Sequence, residues 1–205
     1  MDATFWNQRY QENEFAYGLE ANEFLKKELI KLKPGKILFV AEGEGRNAVF
    51  AAEHGWEVFA FDQSEEGRRK ALQLAQERKV ELDYIVGDAM ELAWPRDSFD
   101  AVVLIYSHMP PEVRKNFHGK IQEILKTNGF VIMEGFSLNN LDYVAKNPKI
   151  GGPKSPDFLF SETMVETEFP GIEILHLEEK VVELREGNYH NGTGCVIRFI
   201  GKKTN

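Results

Sequence analysis

An apolar run that breaks on two closely spaced glycines and passes directly into a helical pattern leaves a chain few ways to fold. Residues 36–48 read KILFVAEGEGRNA. Ile37, Leu38, Phe39 and Val40 form the run, Glu42-Gly43-Glu44-Gly45 turns it, and Arg46-Asn47-Ala48-Val49 starts the helix. Glycine enters backbone regions closed to other residues, so such a turn lets the main chain approach a ligand closely. The first N–H groups of the helix lack partners within it and point at the same place.

The chain around this turn alternates strand and helix. Residues 20–32 carry a helical stripe of Ala21, Phe24, Leu25, Leu29 and Leu32, which Pro34-Gly35 stops before the strand at 36–41. A helix from Arg46 to His54 closes on Gly55, and Trp56 to Phe61 forms a second strand ending at Asp62. Ser64 is placed to cap a helix that runs to Arg78, with Glu65 and Glu66 in its first turn. Leu82 to Val86 makes a third strand, ending in Gly87-Asp88-Ala89, and Phe99 to Ile105 a fourth. Pro110-Pro111 opens a helix with the stripe Val113, Phe117, Ile121 and Leu125; Asn128-Gly129 then turns into a fifth strand, Phe130 to Glu134. Short apolar strands between amphipathic helices mean a parallel sheet covered on both faces.

The end of the chain differs. Residues 137–160 are polar and rich in glycine and proline, which predicts a substrate loop or lid around Gly151-Gly152-Pro153. A helix is expected near 161–169. Two strand-like runs follow, Ile172 to Leu184 and Gly194 to Ile200, flanking the turn-forming pairs Gly187-Asn188 and Asn191-Gly192. So short a link pairs them antiparallel. The expected fold is therefore α/β: a Rossmann-like, doubly wound, mostly parallel sheet with an antiparallel C-terminal β-hairpin. A single domain is expected over residues 1–205. It divides into an N-terminal lid and helix (1–35), a cofactor-binding core (36–136), the loop (137–160), and the C-terminal helix and hairpin (161–205).

Composition narrows the partners. With 42% apolar residues in 205, the chain can build one sizeable core. The net charge of −8 and the absence of a basic cluster argue against nucleic acid. No apolar run reaches membrane-spanning length, and the start lacks a signal-like segment. Cys195 is the only cysteine, so no internal disulfide forms, and a cytoplasmic location is expected. No histidine, cysteine or carboxylate spacing suggests a metal. Oligomeric state is left open.

Two ligand classes use a glycine turn of this kind. Gly43-x-Gly45-x-x-Ala48 satisfies the dinucleotide fingerprint, with Asp62 near the distance of a ribose-binding acid, which would make the chain an NAD(P)-dependent oxidoreductase. Three features favour S-adenosylmethionine instead. Asp88 in Gly87-Asp88-Ala89 offers a carboxylate to an adenine amine; an antiparallel tail replaces a second parallel half; and a helix precedes the first strand.

The order glycine turn, Asp62, Gly87-Asp88-Ala89, Ser98-Phe99-Asp100 and Leu125-Lys126-x-x-Gly129 resembles a class I S-adenosylmethionine-dependent methyltransferase over nearly the whole chain. Within that superfamily it is similar to the branch of tellurite-resistance and thiopurine methyltransferases. That closer resemblance rests on Phe5-Trp6, Arg9-Tyr10, Tyr17-Gly18, Asn22, Gly43-Glu44-Gly45-Arg46-Asn47 and Glu186-Gly187-x-Tyr189-His190-x-Gly192. One departure stands out. The superfamily's acid for the methionine amino group is replaced by Phe39 and its first glycine by Ala41, so Glu42 is the candidate substitute.

The resemblance implies S-adenosylmethionine as cofactor, held by Glu42, Gly43, Gly45, Asn47, Asp62, Gln63, Asp88, Ala89 and Tyr106. Tyr17, Arg46 and His108 are the candidates for catalysis, substrate contact or closure. The aromatics Phe5, Trp6, Tyr10, Phe15 and Tyr17 are expected to close over the cofactor, with Lys154, Glu134 and Phe136 facing the same crevice. His190 reads as part of the hairpin turn, and Cys195 as a strand residue. The implied reaction is methyl transfer to a small molecule, with a thiol, metalloid or similar soft nucleophile favoured, because such acceptors need little deprotonation. A non-catalytic binder of the same cofactor is the other alternative.

Overall fold

The computed structural model describes residues 2–204. Its helices are α1 Ala3–Tyr10, α2 Glu23–Leu29, α3 Arg46–Glu53, α4 Glu65–Arg78, α5 Pro111–Ile124, α6 Asn140–Val144 and α7 Glu162–Glu168. Its strands are β1 Lys36–Val40, β2 Glu57–Asp62, β3 Asp83–Val86, β4 Phe99–Ile105, β5 Leu125–Phe136, β6 Ile172–Glu186 and β7 His190–Lys203. They form one seven-stranded sheet in the order β3-β2-β1-β4-β5-β7-β6. The first five pair in parallel, and β7 then pairs antiparallel with both β5 and β6. This is the class I methyltransferase architecture.

Alternation along each strand decides which face a side chain serves. Leu38 and Val40 of β1, Val102 and Leu104 of β4, and Val131 and Met133 of β5 point to one side. There they meet Phe117, Ile121 and Ile124 of α5 and Val165 of α7. Ile37 and Phe39, Ala101 and Val103, and Ile132 point to the other, against Phe24, Leu25 and Leu29 of α2, Ala48 and Ala51 of α3, and Ala71 of α4. Each of these valine, leucine, isoleucine, methionine and phenylalanine side chains stabilises by roughly 1.5–3 kcal/mol when fully buried. Because β1 lies between β2 and β4, the strand order reverses there, and the crevice outside its C-terminal end is the natural ligand position.

Local chemistry sets the helix ends. Asn22 starts α2 by accepting the N–H groups of Phe24 and Leu25, which shortens the expected helix at 20–32. Ser64 caps α4 through the Gly67 N–H, as its sequence position predicts.

Three expectations need correction. The segment 137–160, expected as a loop, contains regular structure: α6 and two 3-10 turns, Pro148–Ile150 and Pro156–Phe158, organise it. Ile150 and Leu159 anchor it against Phe136 and Val196, which gives a polar stretch its own small core. Asn191-Gly192 is not a turn either. Asn191 pairs with Arg185 and Gly192 with Leu184 inside the hairpin, because Gly187, at φ +62°, already makes the reversal. Finally, part of the N-terminal arm is helical: Asp2 accepts the Phe5 N–H and caps α1.

Candidate active site

The C-terminal ends of β1 to β4 open into a cleft of about 990 Å³. Its wall includes Glu42 after β1, Asp62 and Gln63 at β2, Asp88 and Ala89 after β3, and Tyr106 after β4. The topology brings these sequence-predicted residues together at the point where the strand order reverses.

The turn after β1 is built to be rigid. Ala41, in the place of the usual first glycine, has φ +52°, a conformation L residues avoid. Glu42 then folds back so that Oε1 accepts the N–H groups of Asn47 and Ala48 at 2.9 and 2.8 Å, capping α3. Burial pushes the Glu42 carboxyl up to about 7, and those two N–H bonds and Arg46 pull the other way. Asp62 holds the turn from the neighbouring strand, accepting the N–H groups of Gly43 at 3.1 Å and Ser64 at 2.9 Å. Its burial raises the carboxyl to about 6.

Gly43 and Gly45, expected at the cofactor, are not on the cleft wall. A Cβ on Gly43 would lie 2.5 Å from the Tyr10 hydroxyl, and one on Gly45 would lie 2.6 Å from the Ala71 Cβ. Their backbones run at φ +62° and +87°, and the space thus freed is filled by α1 and α4. The glycines shape the cleft from behind. Asn47 is likewise tied internally, its Oδ1 accepting the Asn22 N–H. Asp88 is exposed, with one carboxylate oxygen accepting the Met90 N–H.

Phe39 explains the departure from the superfamily pattern. It is fully buried on the α2 and α3 side, so no side chain at this position reaches the cleft without unpacking the core.

The three candidate catalytic residues all line the cleft, but two are occupied. Arg46 donates to Glu186 Oε2 at 2.9 Å and to the Glu20 carbonyl at 3.1 Å, an ion pair buried on both sides. It is a strut between α3, the N-terminal arm and the hairpin, not a free contact for an acceptor. His108 has both ring nitrogens in use. Nδ1 meets the Phe158 carbonyl at 2.7 Å and Nε2 accepts the Phe136 N–H at 3.1 Å. Burial holds it down to about 4, so the ring stays neutral, and its lone-pair nitrogen is already taken by the Phe136 N–H, which leaves none to accept a substrate proton. Tyr17 accepts a bond from Arg9 at 3.1 Å, and burial pushes its hydroxyl up to about 12.

Phe5, Trp6 and Tyr10 of α1 and the later Tyr17 line the cleft as expected, whereas Phe15 packs away from it against Val49, Leu74 and Ala75. Asn7 accepts from Ser64 and from the Glu66 N–H, which docks α1 on the start of α4. Arg9 lies 3.7 Å from the centre of the Tyr189 ring, and Tyr189 donates to Glu12 at 2.7 Å. The opposite wall comes from Lys149, Gly151 to Ser155 and Phe158.

Sequence reasoning missed the polar framework beneath. Glu134, expected to face the crevice, is not on its wall but buried beneath it, where it accepts from Asn22 at 2.6 Å, Tyr106 at 3.0 Å and Arg198 at 2.6 Å. Glu44 and Lys70 form a fully buried pair at 2.8 Å, and Glu44 also accepts the Ala16 N–H. His190 and Glu186, assigned only to the hairpin, stand on the cleft wall and directly behind it. Their pairings span up to 164 residues, so no local signal marks them.

The donor set fits S-adenosylmethionine. The acidic wall from Glu42 to Asp88 suits a cation bearing an amine and a ribose, and the aromatic lining suits a sulfonium. Among the described residues no cluster of three metal-ligating side chains forms, and no helix is long and apolar enough to cross a membrane.

Residues 37–129 match the methyltransferase domain family. A demethylmenaquinone methyltransferase of Renibacterium salmoninarum is 30% identical over 105 residues, covering 51% of this chain and 43% of that enzyme. The match thus spans less than half the length of that relative. A structure from work on the conversion of a disulfide bond into a thioacetal group during echinomycin biosynthesis has a TM-score of 0.77. It is 16% identical, with 98% of this chain and 89% of that one covered. TehB from Haemophilus influenzae has a TM-score of 0.70 at 14% identity, covering 98% of this chain and 66% of its own.

Proposed function

We propose that this chain, which carries an S-adenosylmethionine-dependent methyltransferase domain, transfers the methyl group to a small soft nucleophile, a thiol or metalloid. The observation that carries this reading is the convergence of Glu42, Asp62, Asp88, Ala89 and Tyr106 on one enclosed wall at the reversal of strand order. The walls from α1 on one side and residues 148–158 on the other favour a small acceptor. The branch of tellurite-resistance and thiopurine methyltransferases is the proposed position within the superfamily, supported by the motifs in α1, the glycine turn and the hairpin.

S-adenosylmethionine, when bound, supplies a methyl already activated on a sulfonium. The residues have the tasks of binding, alignment and exclusion of water. Glu42 takes the place of the acid lost at Phe39 and meets the methionine ammonium. Asp62, although it accepts two main-chain N–H groups, retains lone pairs for ribose hydroxyls. Asp88 accepts the adenine amine, and the Ala89 N–H meets a ring nitrogen. Tyr17 and Tyr106 present aromatic surface to the acceptor side.

The dinucleotide alternative loses support from the antiparallel β7, which ends the parallel half-sheet where a second one would continue. Titration calorimetry with S-adenosylmethionine and S-adenosylhomocysteine, with NADH as control, tests the reading. Dissociation constants of about 1–100 µM, weakened at least tenfold in Asp88→Ala, are expected. Preference for NADH, or no binding of either sulfur compound, sinks it.

A further inference from the structure

The cleft holds one imidazole with an unused nitrogen. His190 begins β7 at the hairpin tip, and its ring packs 4.5 Å from Tyr17, 4.5 Å from Tyr106 and 5.0 Å from Phe136, centre to centre. A Cβ on Gly151 would fall 2.9 Å from its Cδ2, so the glycine there leaves the ring its place. Nδ1 lies 3.3 Å from Glu186 Oε2. Among the described residues Nε2 has no hydrogen-bond partner, and it is not among the sealed, unpaired atoms of the interior, as His118 Nε2 is. His190 lines the cleft, and its Nε2 is left without a protein partner there.

Glu186 is fixed on three sides. Arg46 holds Oε2 at 2.9 Å, Asn22 donates to Oε1 at 3.0 Å, and His190 supplies the third contact. The Arg46 guanidinium and the His190 contact overcome the cost of burial and keep the carboxyl down at about 2, so it is ionised at all working pH values. An ionised carboxylate beside Nδ1 keeps the ring proton there and leaves Nε2 with its lone pair. The charged and titratable groups around the ring are Glu186, Arg46, Arg9, Tyr17, Tyr106 and His108. Burial, Arg46 and Arg9 lower the His190 pKa against the pull of Glu186, so the ring is neutral near pH 7.

We propose that His190, oriented by Glu186, is the general base of the reaction and accepts the proton of a neutral thiol held against Tyr17, Tyr106 and Phe136. This rests on the methyl-transfer reading and makes it more specific, because the acceptor then arrives protonated. The thiol S–H bond breaks and its proton passes to His190 Nε2. The thiol's electron pair forms the new S–C bond, while the sulfonium C–S bond breaks and its pair stays on the departing neutral thioether. The proton leaves His190 for solvent after product release. His190 is the catalytic residue, and Glu186 a positioning residue.

His190→Gln and Glu186→Gln test this with two aromatic thiols, 4-nitrothiophenol (ionised at neutral pH) and phenylmethanethiol (protonated). His190→Gln should lose about 100-fold or more in kcat on phenylmethanethiol and under about threefold on 4-nitrothiophenol. The loss on phenylmethanethiol should shrink as pH rises. Equal losses on both thiols overturn the proposal, and so does a wild type that binds S-adenosylmethionine and methylates neither. Nitrogen NMR of the His190 imidazole in the wild-type protein gives a readout without turnover: the Nδ1–H tautomer is expected, and Nε2–H overturns the assignment. Glu186→Gln should shift that tautomer balance and the pH profile of kcat together; a fall in stability alone would assign Glu186 to structure only. Calorimetry on the same samples separates the two readings, since loss of S-adenosylmethionine binding in the wild type refutes methyl transfer itself.

Discussion

Replacing Glu42 by glutamine should stabilise the protein at neutral and alkaline pH while weakening the cofactor. An amide keeps an oxygen that can accept the Asn47 and Ala48 N–H groups, so the α3 cap survives. What disappears is a carboxyl whose pKa burial has raised from 4.5 to about 7. A raised acid binds its proton more tightly when folded, so the folded state loses stability as pH climbs from 4.5 to about 7. At about 1.4 kcal/mol per pH unit, that interval amounts to roughly 3 kcal/mol, the order by which ionised Glu42 burdens the fold above pH 7. Glu42→Gln removes it. Urea unfolding followed by circular dichroism should show the two proteins equal at pH 4, diverging through pH 5–7, and parallel above. The gap at pH 8 should be about 3 kcal/mol, or roughly 6–12 °C in Tm for a chain of this size. S-adenosylmethionine affinity should fall at least tenfold in the same variant. A pH-independent gap, or a variant less stable than wild type at pH 8, refutes the reasoning.

Phe39→Asp, which restores the superfamily's acid, should fail to rescue binding and should unfold the chain, since it removes a buried ring and buries a charge; a loss above about 4 kcal/mol is expected by denaturation. Gly45→Ala meets both φ +87° and the Ala71 Cβ at 2.6 Å, so it should cost about 2–4 kcal/mol by the same assay. Ala41→Gly relieves φ +52° and should be neutral or stabilising by up to about 1 kcal/mol in thermal melts; a clear loss would show that Ala41 packs rather than strains. Arg46→Ala should destabilise by about 3–5 kcal/mol at pH 7 because it strands Glu186. Glu186 has a lowered pKa, so its share of that stability is present above 4.5 and fades as pH falls towards 2; the gap between Arg46→Ala and wild type should close over that range.

The sheet was legible because strand and helix periodicity is local. Ile37 to Val40, the Ser64 cap and the Pro111 helix start each carry their own signal within a few residues. The hairpin was legible as a pair, but its turn was assigned too broadly, since Asn191-Gly192 has turn chemistry and only the Gly187 reversal shows that it is not needed. The lining from Glu42 to Tyr106 followed from the same logic, because strand ends in such a sheet converge. What could not be read was orientation. Arg46 and His108 have the right chemistry in the right place, yet their groups are tied by Glu186, Phe158 and Phe136, partners 28 to 140 residues away. His190 is the converse case: its local context says turn, and only tertiary packing puts its ring on the cleft.

The latch between the arm and the hairpin sets the order in which the site comes into being. Glu12 meets Tyr189 across 177 residues, Asn188 donates from its N–H to the Ala16 carbonyl, and Arg9 rests on the Tyr189 ring. During synthesis, residues 36–136 emerge with the whole acidic wall, but the arm has nothing to close against until the last strand pair leaves the ribosome. A nascent chain therefore presents an open, wet wall. Cofactor retention should thus require both distant segments, and a chain lacking the hairpin is expected to lose it.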